Sequence, residues 1–251
     1  MAKTGTALFM PAWNEAENLP LVVHQAVAYL RERDEPFTVI VVNDGSTDHS
    51  CQVLEALKQE YADCFSYVRH PLNEGYGSAL RTGFREGLKT GHDWVGFCDA
   101  DGQFMPADIG RLKDSALASG SDIAIGYRLA RADSLQRRIM GKAWSVLSSV
   151  LLGHEAIDVD CGLNIFHRNA LIQLAPLLTS QHATISPEIL ILAHRAGQKI
   201  VQVGVPHYLR RHGTASGADP HVVWESLKGL MHVRQSLRRS AYVRQAFRRS
   251  A

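Results

Sequence analysis

Along the first 127 residues, short apolar runs alternate with amphipathic stretches. Thr6 to Met10 is apolar and closed by Pro11, which predicts a first strand. Leu19 to Arg33 carries Leu19, Val22, Val23, Ala26, Val27 and Leu30 at the spacing of one helix face, with Asn18 in the N-cap position. Phe37 to Val42 is a continuous β-branched run, as expected of a parallel strand buried on both sides. Asn43-Asp44-Gly45-Ser46-Thr47-Asp48 then makes a tight turn, with Ser46 or Asp48 placed to cap a helix from Ser50 to Tyr61. The alternation continues with a strand at Phe65–Arg69, a helix at Ser78–Thr90 and a strand at Trp94–Cys98. A helix from Pro106 or Ala107 to about Ser119 and a strand at Asp122–Tyr127 complete it. Strands and helices alternating over short links predict a doubly wound α/β sheet.

After Arg128 the pattern changes. Arg131 to Arg138 is polar and basic, and Ile139 to Leu152 reads as a rather apolar helix. A short strand is expected at Leu163–Phe166, a helix from Ser186 to Ala196, and a strand from Lys199 to Tyr208. A basic, glycine-containing loop, Arg210 to Gly217, precedes a long helix from His221 to Arg239 that can run on to Arg249. The expected organisation is a single α/β domain over 1–217, with 218–251 as a basic helix or tail.

Composition narrows the class. With 251 residues, 45% hydrophobic and 21% charged, the chain is long enough for one well-buried core. The net charge of +2 hides an asymmetry: the last 26 residues hold seven Lys or Arg and no acid, leaving the first 225 at −5. Four scattered cysteines without a Cys-x-x-Cys pair argue against a zinc site or disulfide framework and for a reducing compartment. The N-terminus does not read as a signal peptide, and no apolar run approaches the roughly 20 residues needed to cross a bilayer. The expected location is cytoplasmic, with any membrane contact peripheral.

The chemistry gathers where strands end. Trp94 to Cys98 runs into Asp99-Ala100-Asp101-Gly102-Gln103, and a strand stopping at Asp-x-Asp places both acids at its carboxyl end, where open α/β sheets bind ligands. Two carboxylates and an amide oxygen are hard donors, suited to Mg²⁺ or Mn²⁺ shared with phosphates. A polar turn capping the next helix is the plain alternative. Asp44 ends the second strand in the same way, and a carboxylate there can accept a hydrogen bond from a ring N–H of uracil or guanine. No P-loop or dinucleotide-binding glycine fingerprint is present.

Pro11-x-x-Asn14-Glu15-x-x-Asn18, Val42-Asn43-Asp44-Gly45-Ser46-x-Asp48, Asn73-x-Gly75-x-Gly77 and Asp99-x-Asp101-x-Gln103, in this order, resemble the family-two inverting glycosyltransferases. Within these the chain is most similar to dolichyl- and polyprenyl-phosphate mannose synthases and their bacterial relatives, over about residues 6 to 217. The resemblance implies a GT-A fold: a Rossmann-like, mostly parallel sheet flanked by helices. Residues 1–127 would be its nucleotide-sugar half and 128–217 its acceptor half. It places Pro11, Asn14, Glu15, Asp44 and Gly75 around the nucleoside. Asp99, Asp101 and Gln103 would hold Mg²⁺ or Mn²⁺ and the sugar diphosphate. Arg210, in Arg-x-x-Gly before Ser216, matches the basic loop that closes on the diphosphate, making Asp99, Asp101 and Arg210 the catalytic set. Arg128 with Arg137 or Arg138 fits the acceptor-phosphate positions. Asn43 replaces a usual Asp, Gly141 stands where a Ser is common, and Cys161-Gly162-Leu163-Asn164 replaces Ser-Gly-Phe-Arg, which touches the acceptor side more than the donor side.

The implied reaction is a metal-dependent, inverting transfer from a UDP- or GDP-sugar to a polyprenyl phosphate, in which metal and Arg210 stabilise the departing diphosphate. A phosphate acceptor is already an oxyanion. A hydroxyl acceptor needs a base, with Asp160 and Glu188 as candidates. Two other readings are a soluble transferase using a small hydroxyl or nucleotide-like acceptor in natural-product biosynthesis, and a catalytically silent nucleotide-sugar-binding protein. No nucleic-acid partner is expected. The end of the chain, with Val233, Leu237, Val243 and Phe247 among arginines, reads either as a basic amphipathic helix on a membrane surface or as a solvated terminus. Trp13 is open between stacking on the nucleobase and packing in the core.

Overall fold

The computed structural model describes residues 4–129, 135–213 and 220–239. The strands are β1 (Thr6–Ala12), β2 (Phe37–Asn43), β3 (Phe65–Arg69), β4 (Trp94–Cys98), β5 (Ile123–Arg128), β6 (Leu163–His167) and β7 (Ile200–Val205). The helices are α1 (Leu19–Glu32), α2 (Ser50–Glu60), α3 (Tyr76–Lys89), α4 (Asp108–Ser119), α5 (Leu135–Leu152), α6 (Arg168–Leu174), α7 (Ile185–Arg195) and α8 (Pro220–Arg239). One sheet in the order β3-β2-β1-β4-β6-β5-β7 joins all seven strands. Among the described strands only β6 runs antiparallel, between β4 and β5, while β7 pairs parallel with β5.

The alternation of side chains along β1 shows how both faces become buried. Leu8 and Met10 enter a core under α1 and α4, whereas Ala7 and Phe9 enter a second core under α3, α6 and α7. Phe9, Phe84, Phe97 and Phe166 interlock in the second core with centroid separations of 5.1–6.1 Å. The basic C-terminal helix α8 packs there too, through buried Leu230, Val233 and Leu237.

The hydrophobic pattern places the first five strands within one or two residues of their observed bounds. Its departures have local causes. Pro11 does not end β1: the strand continues to Ala12, with Pro11 opposite Val42. The pairing of β1 with β4 stops at Phe9, so the missing N–H removes no ladder bond on that side. Asn18 sits at the N-cap of α1 but makes no capping bond; its backbone is helical, and its amide N–H donates to Glu15 in the site below. Neither Ser46 nor Asp48 is the N-cap of α2, which is His49; Asp48 lies one residue earlier, its carboxylate accepting from the Ser50 N–H at 3.0 Å. The short α6 went unforeseen, and the last strand stops at Val205 instead of Tyr208. Ser216, Gly217 and the expected continuation of the last helix to Arg249 lie outside the described residues.

Candidate active site

At the carboxyl ends of β1, β2 and β4 three polar clusters meet. The first is built on Asp44, directly after β2 and 3% exposed. Its carboxylate accepts from the backbone N–H groups of Glu74 (3.0 Å) and Gly75 (2.9 Å), and pairs with His70 Nδ1 at 2.7 Å. His70 is held in turn by Thr82 Oγ1 at 3.0 Å. Asn43 closes the turn beneath, its Oδ1 accepting from the Ser46 N–H at 2.9 Å, a task an amide performs as well as a carboxylate. Gly75, at φ +94°, has no room for a side chain: a Cβ would lie 2.6 Å from the Gln181 carbonyl. Asn14, at φ +55°, accepts from the Thr47 N–H at 2.9 Å and so ties the loop after β1 to the loop after β2. Pro11 is buried at the head of that loop. Trp13 is 49% exposed, which removes the core-packing reading.

The second cluster is Asp99 and Asp101. Asp99 accepts from the Tyr76 hydroxyl at 2.9 Å, and its own N–H donates to the Gly162 carbonyl at 2.9 Å. Burial, and then the neighbouring Asp101 carboxylate, raise the Asp99 carboxyl well above the ordinary range, while Arg128 offsets part of this. Burial raises Asp101 as well. Asp101 accepts from the Gln103 N–H at 3.0 Å. Gln103 holds the following basic loop, its amide donating to the Tyr208 carbonyl at 3.3 Å and its own carbonyl accepting from the Tyr208 N–H at 3.0 Å.

That loop forms the third cluster. Arg210 reaches across the site to pair with Glu15 and, at 3.4 Å, with Asp101. Its Nε donates to the His212 carbonyl at 2.7 Å, which also accepts from Asn18 at 3.3 Å. Asn18 donates to Glu15 at 2.6 Å, and burial leads the upward shift of the Glu15 carboxyl. Of the loop histidines, His207 packs edge-on against Phe104, and His212 pairs with Glu17 at 3.1 Å.

The expected donor-side residues therefore converge. On the acceptor side, the Arg128 side chain is 9% exposed and held bidentately by Asp158 at 2.5 and 2.6 Å. Arg138 is exposed on α5, and the side chain of Arg137 lies outside the described residues. Glu188 is occupied: it accepts from the Thr179 hydroxyl at 2.6 Å and from the N–H groups of Thr179 and Ser180 at 3.1 and 2.9 Å. Asp160 accepts from the Trp144 indole at 3.1 Å. Reading the sequence missed Tyr76, His70 and Asp158. Tyr76 lies inside the Asn73-x-Gly75-x-Gly77 motif, and His70 directly follows β3, so position alone marked both. Nothing local marked Asp158.

No described group of three His, Cys, Asp or Glu is poised to hold a metal by itself. Two adjacent, partly buried carboxylates of raised proton affinity nevertheless fit a hard divalent cation, which would relieve their mutual repulsion. The remaining positions would fall to ligand oxygens and water.

Comparison with known proteins places the chain in a family and a fold. The chain is 31% identical over 209 residues to an undecaprenyl-phosphate 4-deoxy-4-formamido-L-arabinose transferase of Pectobacterium carotovorum, covering 83% of this chain and 61% of that protein. It is 30% identical over 174 residues to a polyprenol monophosphomannose synthase of Mycolicibacterium smegmatis, covering 66% and 63%. The chain spans roughly three-fifths of the length of the curated relatives it matches. Among solved structures, the UDP complex of glucosyl-3-phosphoglycerate synthase from Mycobacterium tuberculosis superposes with a TM-score of 0.70 at 18% identity, over 92% of this chain and 80% of that one. This likeness establishes the GT-A fold. The model of the family described as "Glycosyl transferase family 2" matches residues 7–174, a segment that contains Glu15, Asp44, Asp99 and Asp101, and the chain belongs to that family.

Proposed function

We propose that this protein transfers a sugar from a nucleoside diphosphate to a polyprenyl phosphate, with inversion and with the help of Mg²⁺ or Mn²⁺. The observation that carries the reading is the Asp99–Asp101 pair at the end of β4, faced by Arg210 and Glu15. Asp44, oriented by two backbone N–H groups and His70, serves to recognise the base. Asp99 and Asp101, with Gln103 beside them, are the residues that would hold the cation. When bound, the cation would supply positive charge to the departing diphosphate. Arg210 exchanges its carboxylate partners for the diphosphate and stabilises the same charge. Relatives named as transferases to undecaprenyl phosphate and as a polyprenol monophosphomannose synthase support a lipid-phosphate acceptor. Fold neighbours solved with UDP and Mn²⁺ or Mg²⁺ support the donor class and the metal. Arg137 or Arg138 would position the acceptor phosphate, and Arg128 would join them by giving up Asp158; as an oxyanion the phosphate needs no base. That suits a site in which Glu188 is already fully used.

The test is a thermal-shift panel with UDP and GDP, each with and without Mn²⁺ or Mg²⁺, on wild type and Asp101→Ala. A nucleotide at about 100 times its dissociation constant stabilises by about 2.7 kcal/mol. A metal-dependent shift with one nucleotide, lost in Asp101→Ala, is expected. No shift with either, in folded protein, would overturn the donor site and leave a silent relative of the enzymes.

A further inference from the structure

The Asp44 carboxylate has little accepting capacity left for a ligand. A carboxylate offers about four lone-pair positions, shared equally between its oxygens. Oδ1 takes the Glu74 N–H at 3.0 Å and His70 Nδ1 at 2.7 Å. A carboxylate only accepts, so the imidazole is the donor in that pair. Oδ2 takes the Gly75 N–H at 2.9 Å. Oδ1 is therefore filled, and Oδ2 keeps a single position.

The three donors are all held in place. Glu74 and Gly75 give backbone groups on a loop pressed against the segment before α7. A Cβ on Gly75 would meet the Gln181 carbonyl at 2.6 Å, and that carbonyl accepts from the Gly77 N–H at 2.8 Å. The His70 ring is buried, with its Nε2 engaged by Thr82 Oγ1 at 3.0 Å. Thr82, buried on α3, accepts from Arg85 at 3.4 Å, which leaves its own proton for His70 Nε2. The donors thus run in one direction, from Arg85 through Thr82 and His70 to Asp44 Oδ1.

Nucleobases differ in what they present to such an acceptor. Uracil and thymine carry a single ring N–H between two carbonyls. Guanine carries a ring N–H beside an exocyclic amine, two parallel donors that a carboxylate takes with both oxygens. An acceptor with one oxygen already filled satisfies the first edge and strands a donor of the second. A buried donor left without a partner costs on the order of tenfold or more in affinity.

We propose that His70 is a positioning residue that restricts Asp44 to one base donor, and so selects a uracil or thymine nucleotide over a guanine one. This rests on the proposed function, in which Asp44 meets the base. Dissociation constants for UDP, TDP and GDP are measured by titration calorimetry on the full chain with Mn²⁺. Wild type is expected to bind UDP or TDP at least about tenfold more tightly than GDP, and these two arms tell which pyrimidine is used. His70→Ala opens the second position on Oδ1, so the preference over GDP should shrink about tenfold. Should that variant not fold, Thr82→Val removes only the hydroxyl that holds the imidazole, and it should narrow the preference about threefold.

A merely structural role for His70 would weaken all three nucleotides by the same factor, and that result would overturn the inference. Wild type binding GDP as tightly as UDP and TDP, or more tightly, would also overturn it, while the transfer function would stand with a guanine nucleotide as donor. Folded wild type that binds none of the three with Mn²⁺ would overturn the inference and the proposed function together.

Discussion

Gly162→Ala is the sharpest steric test of the site. Gly162 immediately precedes β6, and a Cβ there would lie 2.0 Å from Asp99 Oδ2 and 2.4 Å from its Cγ. Ordinary contact begins near 3.4 Å, so one of the two must move by about 1.4 Å. The backbone is poorly placed to give. The Gly162 carbonyl accepts from the Asp99 N–H at 2.9 Å, and Cys98 and Leu163 are paired in the ladder beside it. The carboxylate must therefore swing, giving up the Tyr76 hydroxyl at 2.9 Å. Forcing a methyl into such a contact typically costs about 1–3 kcal/mol of stability. A displacement of about 1 Å in a catalytic group costs on the order of 100-fold in rate. Urea denaturation reads the first quantity. Calorimetric titration with Mn²⁺ and UDP, followed by transfer assays, reads the second. Unchanged stability together with unchanged Mn²⁺ affinity would refute the argument, because it would mean that Asp99 is neither crowded by Gly162 nor needed where it stands.

Two further outcomes follow from buried charge. Asp158→Ala strands the buried Arg128 guanidinium and should cost about 3–5 kcal/mol by chemical denaturation, and a loss below about 1 kcal/mol would show that Arg128 finds other partners. Burial, and then His194, lower the buried His154 imidazole to about 4, so it is neutral in the folded protein and takes up a proton on unfolding below about pH 6.5. Its contribution is thus present above pH 6.5 and lost as pH falls toward 4, about 2 kcal/mol of it between pH 7 and 5. Stability measured at those two values should fall less in His154→Gln, and an equal fall in both proteins would reject this group as the cause.

The sequence by itself determined the alternation of strands and helices, because buried parallel strands must be continuously apolar and covering helices must be amphipathic. It also placed Asp44 and Asp99–Asp101 at strand ends, since each acid follows directly on an apolar run. The order of motifs identified the family. What the tertiary structure alone decided are the relations between distant positions. The antiparallel β6 brings Gly162 onto Asp99, and no local pattern distinguishes a strand inserted antiparallel from one inserted parallel. Arg210 meets Glu15 and Asp101 from nearly two hundred and just over a hundred residues away. Arg128 is defined by Asp158, and Glu188 is claimed by the backbone of Thr179 and Ser180. Which side of α5 is covered was equally hidden: Trp144, Leu151 and Leu152 pack into the second core, whereas Ile139, Val146 and Val150 stay exposed. Periodicity shows that a helix has two faces, whereas only packing against the rest of the chain decides which one is left exposed.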